Sequence, residues 1–301
     1  MKKTLITLSG PTASGKTALA IRIAKTFQAE IFSCDSRQFY KEMSIGTAVP
    51  TTDELAEVQH HFIQHKSIHS PYSVGQYEAE AIALLTDYFE DHDVAVMVGG
   101  SGLYMQAVVN GIDKFPEVSE EIRNTLGSRL AVDGLSVLQQ ELQELDPVHY
   151  KNVDKQNPSR ILRALSVCLA SGKPYSSFLD QNKQKRPFEV LALMVDIPRQ
   201  VLYDRINKRV DQMMNAGMLQ EAQKLYLYRS LNALQTVGYK EIFDFFEEKI
   251  SLDRAIELTK QHTRHYAKRQ MTWVRRKEVN AHKLDFDCTD SELKKYLSLS
   301  N

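Results

Sequence analysis

Cysteine is scarce in this chain: among 301 residues there are 3, Cys34, Cys168 and Cys288, far apart in sequence. An odd, scattered set supplies neither a disulfide framework nor the paired spacing of a thiolate metal site, which suits a reducing cytoplasm. Net charge is absent too, since 38 Lys and Arg meet 38 Asp and Glu. No global field therefore favours or excludes a polyanionic partner. No run approaches the roughly 20 apolar residues of a membrane helix. Met1-Lys2-Lys3 opens like an export signal, but the apolar stretch behind it is too short. There is no internal repeat and no low-complexity tract. A soluble, cytoplasmic chain with no membrane association is expected.

What is present begins at once. A short apolar run, Leu5 to Leu8, leads into Gly10-Pro11-Thr12-Ala13-Ser14-Gly15-Lys16-Thr17, and a segment of helical composition follows to Phe27. That is G-x-x-x-x-G-K-[ST] in the strand–loop–helix context the pattern requires. Glycines let such a loop turn so that backbone N–H groups converge on phosphate oxygens. A helix opening near Gly15 adds the positive end of its dipole. Lys16 supplies a point charge and Thr17 a hydroxyl suited to Mg²⁺. The chain is expected to bind a phosphorylated ligand.

The length suits two domains. Glu30 to Cys34 is expected to be a strand that delivers Asp35-Ser36-Arg37-Gln38 at its carboxyl end. Asp35 then stands beside the phosphate loop if the two strands are neighbours; otherwise it is a cap or turn residue. His60, His61, His65 and His69 cluster, and His61 with His65 would suit metal only on a shared helical face. Ser73 to Glu90 has the apolar spacing of a packed helix. Val94 to Val98 is a buried parallel strand ending in Gly99-Gly100-Ser101-Gly102. It lacks the terminal Asp with which ATPases hold Mg²⁺.

Residues 113–187 then turn helical (Ser119 to Val132, Ser136 to Leu145) before a further strand at Val190 to Asp196. A helical insertion between two core strands accounts for this. Arg160 and Arg163 share one face within it, as phosphate forks or as solvated surface. Helices are expected from Pro198 to about Val279, with Arg205 and Arg209 four apart on one face, as in lids that close over phosphates. Residues 260–277 carry 7 cations and no acid, whereas residues 51–100 hold 9 acids and 1 Lys. Tyr266 and Trp273 interleave with those cations, as stacking platforms for an RNA loop or as core anchors.

Taken in order, GPTASGKT (Gly10 to Thr17), DSRQFY (Asp35 to Tyr40), IGTA (Ile45 to Ala48), the pair His60-His61, GGSGLY (Gly99 to Tyr104), RILRAL (Arg160 to Leu165), RVDQMMNAGM (Arg209 to Met218), GYKE (Gly238 to Glu241) and AKRQMTW (Ala267 to Trp273) resemble the tRNA dimethylallyltransferase family. The resemblance spans nearly the whole chain. It implies an α/β fold: a P-loop NTPase-like parallel sheet core, a helical insertion domain and a helical C-terminal segment. The core takes residues 1–112 and 188–301, and the insertion, 113–187, grips the anticodon stem-loop. The implied activity moves a dimethylallyl group from dimethylallyl diphosphate to N6 of the adenine 3′ of the anticodon, with Mg²⁺, in a monomer. Departures are Ser101 for a Thr, Val49 for a Lys, Gln64 for an Asp and Ser166 for an acid. The lone Cys288 offers no ligand set for the zinc finger of longer members.

The expected roles follow. Asp35 accepts the N6 proton or stands in the outer shell of Mg²⁺. Lys16, Thr17 with its Mg²⁺, the loop backbone and Arg209 carry the leaving diphosphate. Ser36, Arg37 and Gln38 meet the extruded adenine, and Ser101, Arg123, Ser159, Arg160 and Arg163 hold the RNA. Rivals are a small-molecule kinase of the P-loop type, prenylation of free adenine nucleotides, and a nucleotide-gated RNA binder without chemistry.

Overall fold

A computed structural model describes residues 2–179, 185–277, 280–289 and 291–292. It separates into two compact units, Met1–Val109 with Arg186–Asn301, and Asn110–Lys185.

In the larger unit, alternating apolar runs and amphipathic segments give β1 (Thr4–Ser9), α1 (Lys16–Phe27), β2 (Ile31–Ser33), α2 (Thr52–Glu57), β3 (His60–His61), α3 (Val74–Asp91), β4 (Val94–Val98) and α4 (Gly102–Asn110). The sheet order is β3-β2-β4-β1-β5-β6, where β5 is Glu189–Asp196 and β6 is His282–Asp285. Every pairing is parallel. Leu5 aligns with Ala95 on one side and Val190 on the other. A strand buried between two others needs apolar side chains on both faces. Ile6 and Leu8 accordingly pack with Leu19, Ile23 and Val195, while Leu5 and Met97 pack with Tyr77, Ala81 and Leu85 of α3. Ser73 caps α3 in a capping box with Gln76.

The topology corrects one premise. β1 and β2 are not neighbours, because β4 runs between them. The histidines also differ from a metal site on a helix: His60 and His61 form the edge strand β3, and His65 lies in the following loop. His61 Nε2 contacts Glu30 Oε2 at 2.5 Å, and His60 Nδ1 contacts the Val58 carbonyl at 2.8 Å.

The smaller unit holds α5 (Glu120–Val132), α6 (Leu135–Leu145), α7 (Pro147–Asn152) and α8 (Pro158–Ser171). Leu126, Leu138, Leu142, Ile161, Leu165 and Cys168 form its core. Asn157 caps α8 through the Arg160 amide, Pro158 fills the first helical position and Gly172, at φ 66°, ends it. Asp146 is fully buried, and its carboxylate accepts from the His149 amide and from both the amide and hydroxyl of Ser176.

Returning to the larger unit, β5 is followed by α9 (Arg199–Asn215), α10 (Met218–Leu225), α11 (Tyr239–Phe246) and α12 (Leu252–Lys277). The helical run thus reaches Lys277, and Val279 lies outside the described residues. Among the described residues, no helix is long and apolar enough to cross a membrane.

Candidate active site

Because the strands are parallel, β1, β2 and β4 all hand their next residues to one end of the sheet, where open α/β sheets bind ligands. A cavity of about 1310 Å³ opens there, lined by Thr12 to Ala18, Asp35 to Gln38, Gly99, Gly100 and residues of α9, α11 and α12. Gly10 and Pro11 are buried behind its wall.

The loop between β1 and α1 passes through left-handed backbone at Ala13 (φ 63°) and Gly15 (φ 93°). Gly15 occupies the helix cap position and supplies no side chain to the first-turn amides. Those donors suit an anion. Lys16 Nζ donates to the Pro11 carbonyl at 2.6 Å. Burial pulls its pKa down to about 8, against the attraction of Asp35 and with the repulsion of Arg209. Ser14 Oγ is buried without a hydrogen-bond partner.

Not every loop amide is available. The Thr12 amide donates to Gln270 Oε1 at 2.9 Å, and the Ser14 amide reaches the Pro11 carbonyl at 3.3 Å. Gln270 Nε2 in turn donates to the Gly100 carbonyl at 2.9 Å. This buried glutamine of α12 therefore ties the phosphate loop to the end of β4. Gln270 was missing from the expected site, although Ala267, Gln270 and Val274 share the helical spacing of a buried stripe.

Two arginines of α9 close over the loop as their spacing suggests. Arg205 donates to the Ser14 carbonyl at 3.3 Å, and Arg209 reaches Thr12 Oγ1 at 3.4 Å. Arg209 is largely buried, which lowers its pKa, while the Asp35 carboxylate opposes the fall.

Asp35 reaches this cluster across the intervening β4 because β4 ends in glycine. A Cβ on Gly99 would stand 2.5 Å from Cys34 Sγ and 2.8 Å from the Asp35 amide; a Cβ on Gly100 would lie 3.6 Å from Asp35 Oδ2. Asp35 Oδ1 accepts from the Arg37 amide at 3.1 Å, which fixes the turn. The next three side chains are already engaged. Ser36 Oγ contacts Ser101 Oγ at 3.0 Å; Arg37 donates to the Asn232 and Ala233 carbonyls at 2.8 and 3.0 Å; Gln38 donates to the Ala48 carbonyl at 2.8 Å. Ser101 Oγ also accepts from the Ser36 amide at 3.1 Å and hydrogen-bonds Tyr266, whose hydroxyl burial and Asp35 push up to about 12. Trp273 is a packing residue: a Cβ on Gly102 would come within 2.2 Å of its ring.

Arg123, Ser159, Arg160 and Arg163 belong to the other unit and are exposed on α5 and α8. There the Arg163 guanidinium lies 5.1 Å from the Phe115 ring centre. None of the four is among the residues that line the cavity.

A family model described as IPP transferase matches residues 38–277. A tRNA dimethylallyltransferase of Christiangramia forsetii is 53% identical over 92% of this chain and 91% of its own. Its namesake in Flavobacterium johnsoniae is 47% identical over 98% and 97%. The chain belongs to the IPP transferase family. Among solved structures, a tRNA isopentenylpyrophosphate transferase of Bacillus halodurans superposes with a TM-score of 0.70 at 34% identity, covering 99% of this chain and 94% of that one. A eukaryotic dimethylallyltransferase acting on tRNA gives 0.80 at 26% identity, over 99% and 77%. In this IPP transferase, Ser101 keeps the hydroxyl of the usual Thr and spends it on Ser36 and Tyr266.

Proposed function

We propose that this chain transfers the dimethylallyl group of dimethylallyl diphosphate to N6 of the adenine 3′-adjacent to the anticodon of tRNA, releasing diphosphate. The observation that carries the reading is one cavity that gathers a carboxylate, Asp35, a phosphate-loop lysine and two arginines, with Asp35 in the field of Lys16 and Arg209.

N6 of adenine is a weak nucleophile because its lone pair is delocalised into the ring. N6 attacks C1 of the dimethylallyl group, the C1–O bond breaks, and its electron pair leaves on the diphosphate. Asp35 takes the N6 proton. Lys16, the first-turn amides of α1 and Arg209 hold the departing charge, where fixed donors are worth most. A well-placed base commonly contributes about 10² to 10⁴ in rate. The transfer also requires that water be kept from an allylic carbon with carbocation character.

Mg²⁺ fits the donors present. Among the described residues no group of 3 or more His, Cys, Asp or Glu gathers to hold a metal. A hard cation shared with phosphate oxygens asks for fewer protein ligands, and the Thr17 hydroxyl with the unpartnered Ser14 Oγ supplies oxygen donors beside the phosphates. When bound, the ion neutralises diphosphate charge; Asp35 serves N6. The exposed cations Arg123, Arg160 and Arg163, with Ser159, meet the stem-loop backbone. Ser36 and Gln38 border the space for the extruded base, whose extraction costs a few kcal/mol, on the order given for flipped nucleotides. In this reading the enzyme works as a monomer in the cytoplasm.

Purified protein with labelled dimethylallyl diphosphate, offered tRNA or AMP, ADP and ATP, tests the reading. Label entering tRNA alone supports it. Label entering free nucleotides, or entering nothing, overturns it.

A further inference from the structure

A carboxylate far from the phosphate loop in sequence holds a second segment of the cavity wall. Glu221, half-buried on α10, accepts four hydrogen bonds. Its Oε2 takes the amides of Ser44 and Ile45 at 3.0 and 2.9 Å, and its Oε1 takes the Gly46 amide at 2.9 Å and the Tyr239 hydroxyl at 2.6 Å. Three successive backbone donors, Ser44 and the first two residues of the IGTA segment, thus converge on a single anion from the protein itself. The loop is also pressed against its anchor, since a Cβ on Gly46 would come within 2.6 Å of the Tyr239 ring.

The segment so held continues into Thr47, Ala48, Val49 and Pro50, which line the cavity. Its carbonyls at Thr47 and Ala48 receive the Gln38 side-chain amide at 3.3 and 2.8 Å. The Gln38 backbone amide donates to the Asp35 carbonyl at 3.0 Å, closing the turn that carries the carboxylate. An unbroken chain of hydrogen bonds therefore runs from Glu221 through the 44–48 loop and Gln38 to the Asp35 turn. α9 and α10 are separated by only two residues, Ala216 and Gly217. α9 grips the phosphate loop through Arg205 and Arg209, and α10 grips the 44–46 segment through Glu221.

We infer that Glu221 is a positioning residue for prenyl transfer: by anchoring the amides of Ser44, Ile45 and Gly46 it sets the loop that supports the Asp35 turn. The inference rests on the transferase reading. One carboxylate oxygen faces two backbone N–H donors, and the other faces the Gly46 N–H and a tyrosine hydroxyl that can also accept, so a glutamine turns its NH₂ toward at least one backbone N–H whichever way it flips. Glu221→Gln keeps the size of the side chain while breaking the latch. A displacement of about 1 Å in a catalytic group can cost on the order of 10² in rate.

The experiment compares wild type, Glu221→Gln and Tyr239→Phe in steady-state transfer to tRNA, diphosphate binding, and amide exchange over residues 44–48. In Glu221→Gln the expected kcat falls at least about tenfold. KM for dimethylallyl diphosphate and affinity for diphosphate stay within about twofold, because the phosphate loop does not use Glu221. Exchange at residues 44–46 accelerates, and Tyr239→Phe, which removes one of the four bonds, gives a smaller loss in the same direction. Unchanged exchange, unchanged kcat, or a loss confined to KM in a folded variant overturns the inference while leaving the transferase reading intact. A wild-type protein that transfers nothing to tRNA overturns that reading, and the inference falls with it.

Discussion

Raising the pH through about 8 should weaken diphosphate binding by discharging Lys16. In the free protein, burial brings this lysine down from 10.5 to about 8, and Asp35 only partly offsets it. A bound anion favours the ammonium, so the charged form is required in the complex and optional without it. With a value near 8, about ten in eleven lysines are charged at pH 7 and about one in eleven at pH 9. The association constant should therefore drop roughly tenfold across that interval on account of Lys16 alone. Calorimetric titration with diphosphate in wild type and in Lys16→Met separates this from ionisation of the ligand, which both share. The stability of the free protein moves the other way. Between about pH 8 and 10.5 the unfolded chain holds a proton that the folded chain has released, so stability rises with pH there; saturating diphosphate should erase that rise. Parallel pH slopes for wild type and Lys16→Met would refute the assignment of Lys16 as the buried anion contact.

Neutralising Arg160 and Arg163 to Gln tests the exposed face of α8. If both meet phosphates, the slope of log affinity for tRNA against log salt should flatten by about 1.5, and an unchanged slope makes them solvated surface. His65 provides a stability test outside the site. Both its ring nitrogens are buried without partners, edge-on to Phe39, Phe62 and Tyr72, and burial pulls its pKa from 6.5 to about 4. The unfolded chain protonates first, so stability is complete above pH 6.5 and declines as the pH falls toward 4. Discounted for partial exposure, the loss is about 1–2 kcal/mol. Denaturant midpoints of wild type and His65→Phe should diverge over that window, and parallel profiles would exclude His65 as the cause.

Much of the site was legible because its chemistry is local in sequence. The strand, loop and helix around Lys16 follow from one glycine pattern, and Arg205 and Arg209 face the loop because four residues make about one helical turn. Asp35 was placed beside the loop on the premise that β1 and β2 are adjacent. The premise failed and the placement survived, since Gly99 and Gly100 put no side chain between them. Contacts between distant segments were not legible. Nothing in the neighbourhood of Gln270 says that it will meet Thr12, or that Glu221 will take the amides of 44–46. Arg37 and Gln38 suggest base-reading by their chemistry, yet the fold commits much of their hydrogen bonding to carbonyls of other loops. Trp273 reads equally as a stacking platform or a core anchor, and the fold takes the second, packing its ring into the space that Gly102 leaves.

The central claim is that Asp35 relieves the attacking amine of its proton. Single-turnover transfer at saturating dimethylallyl diphosphate and tRNA, comparing wild type with Asp35→Asn, tests it most directly. Asparagine preserves the shape and the turn but is not a base, so the rate should fall at least about a hundredfold while tRNA affinity stays within about twofold. A rate close to wild type would contradict the account.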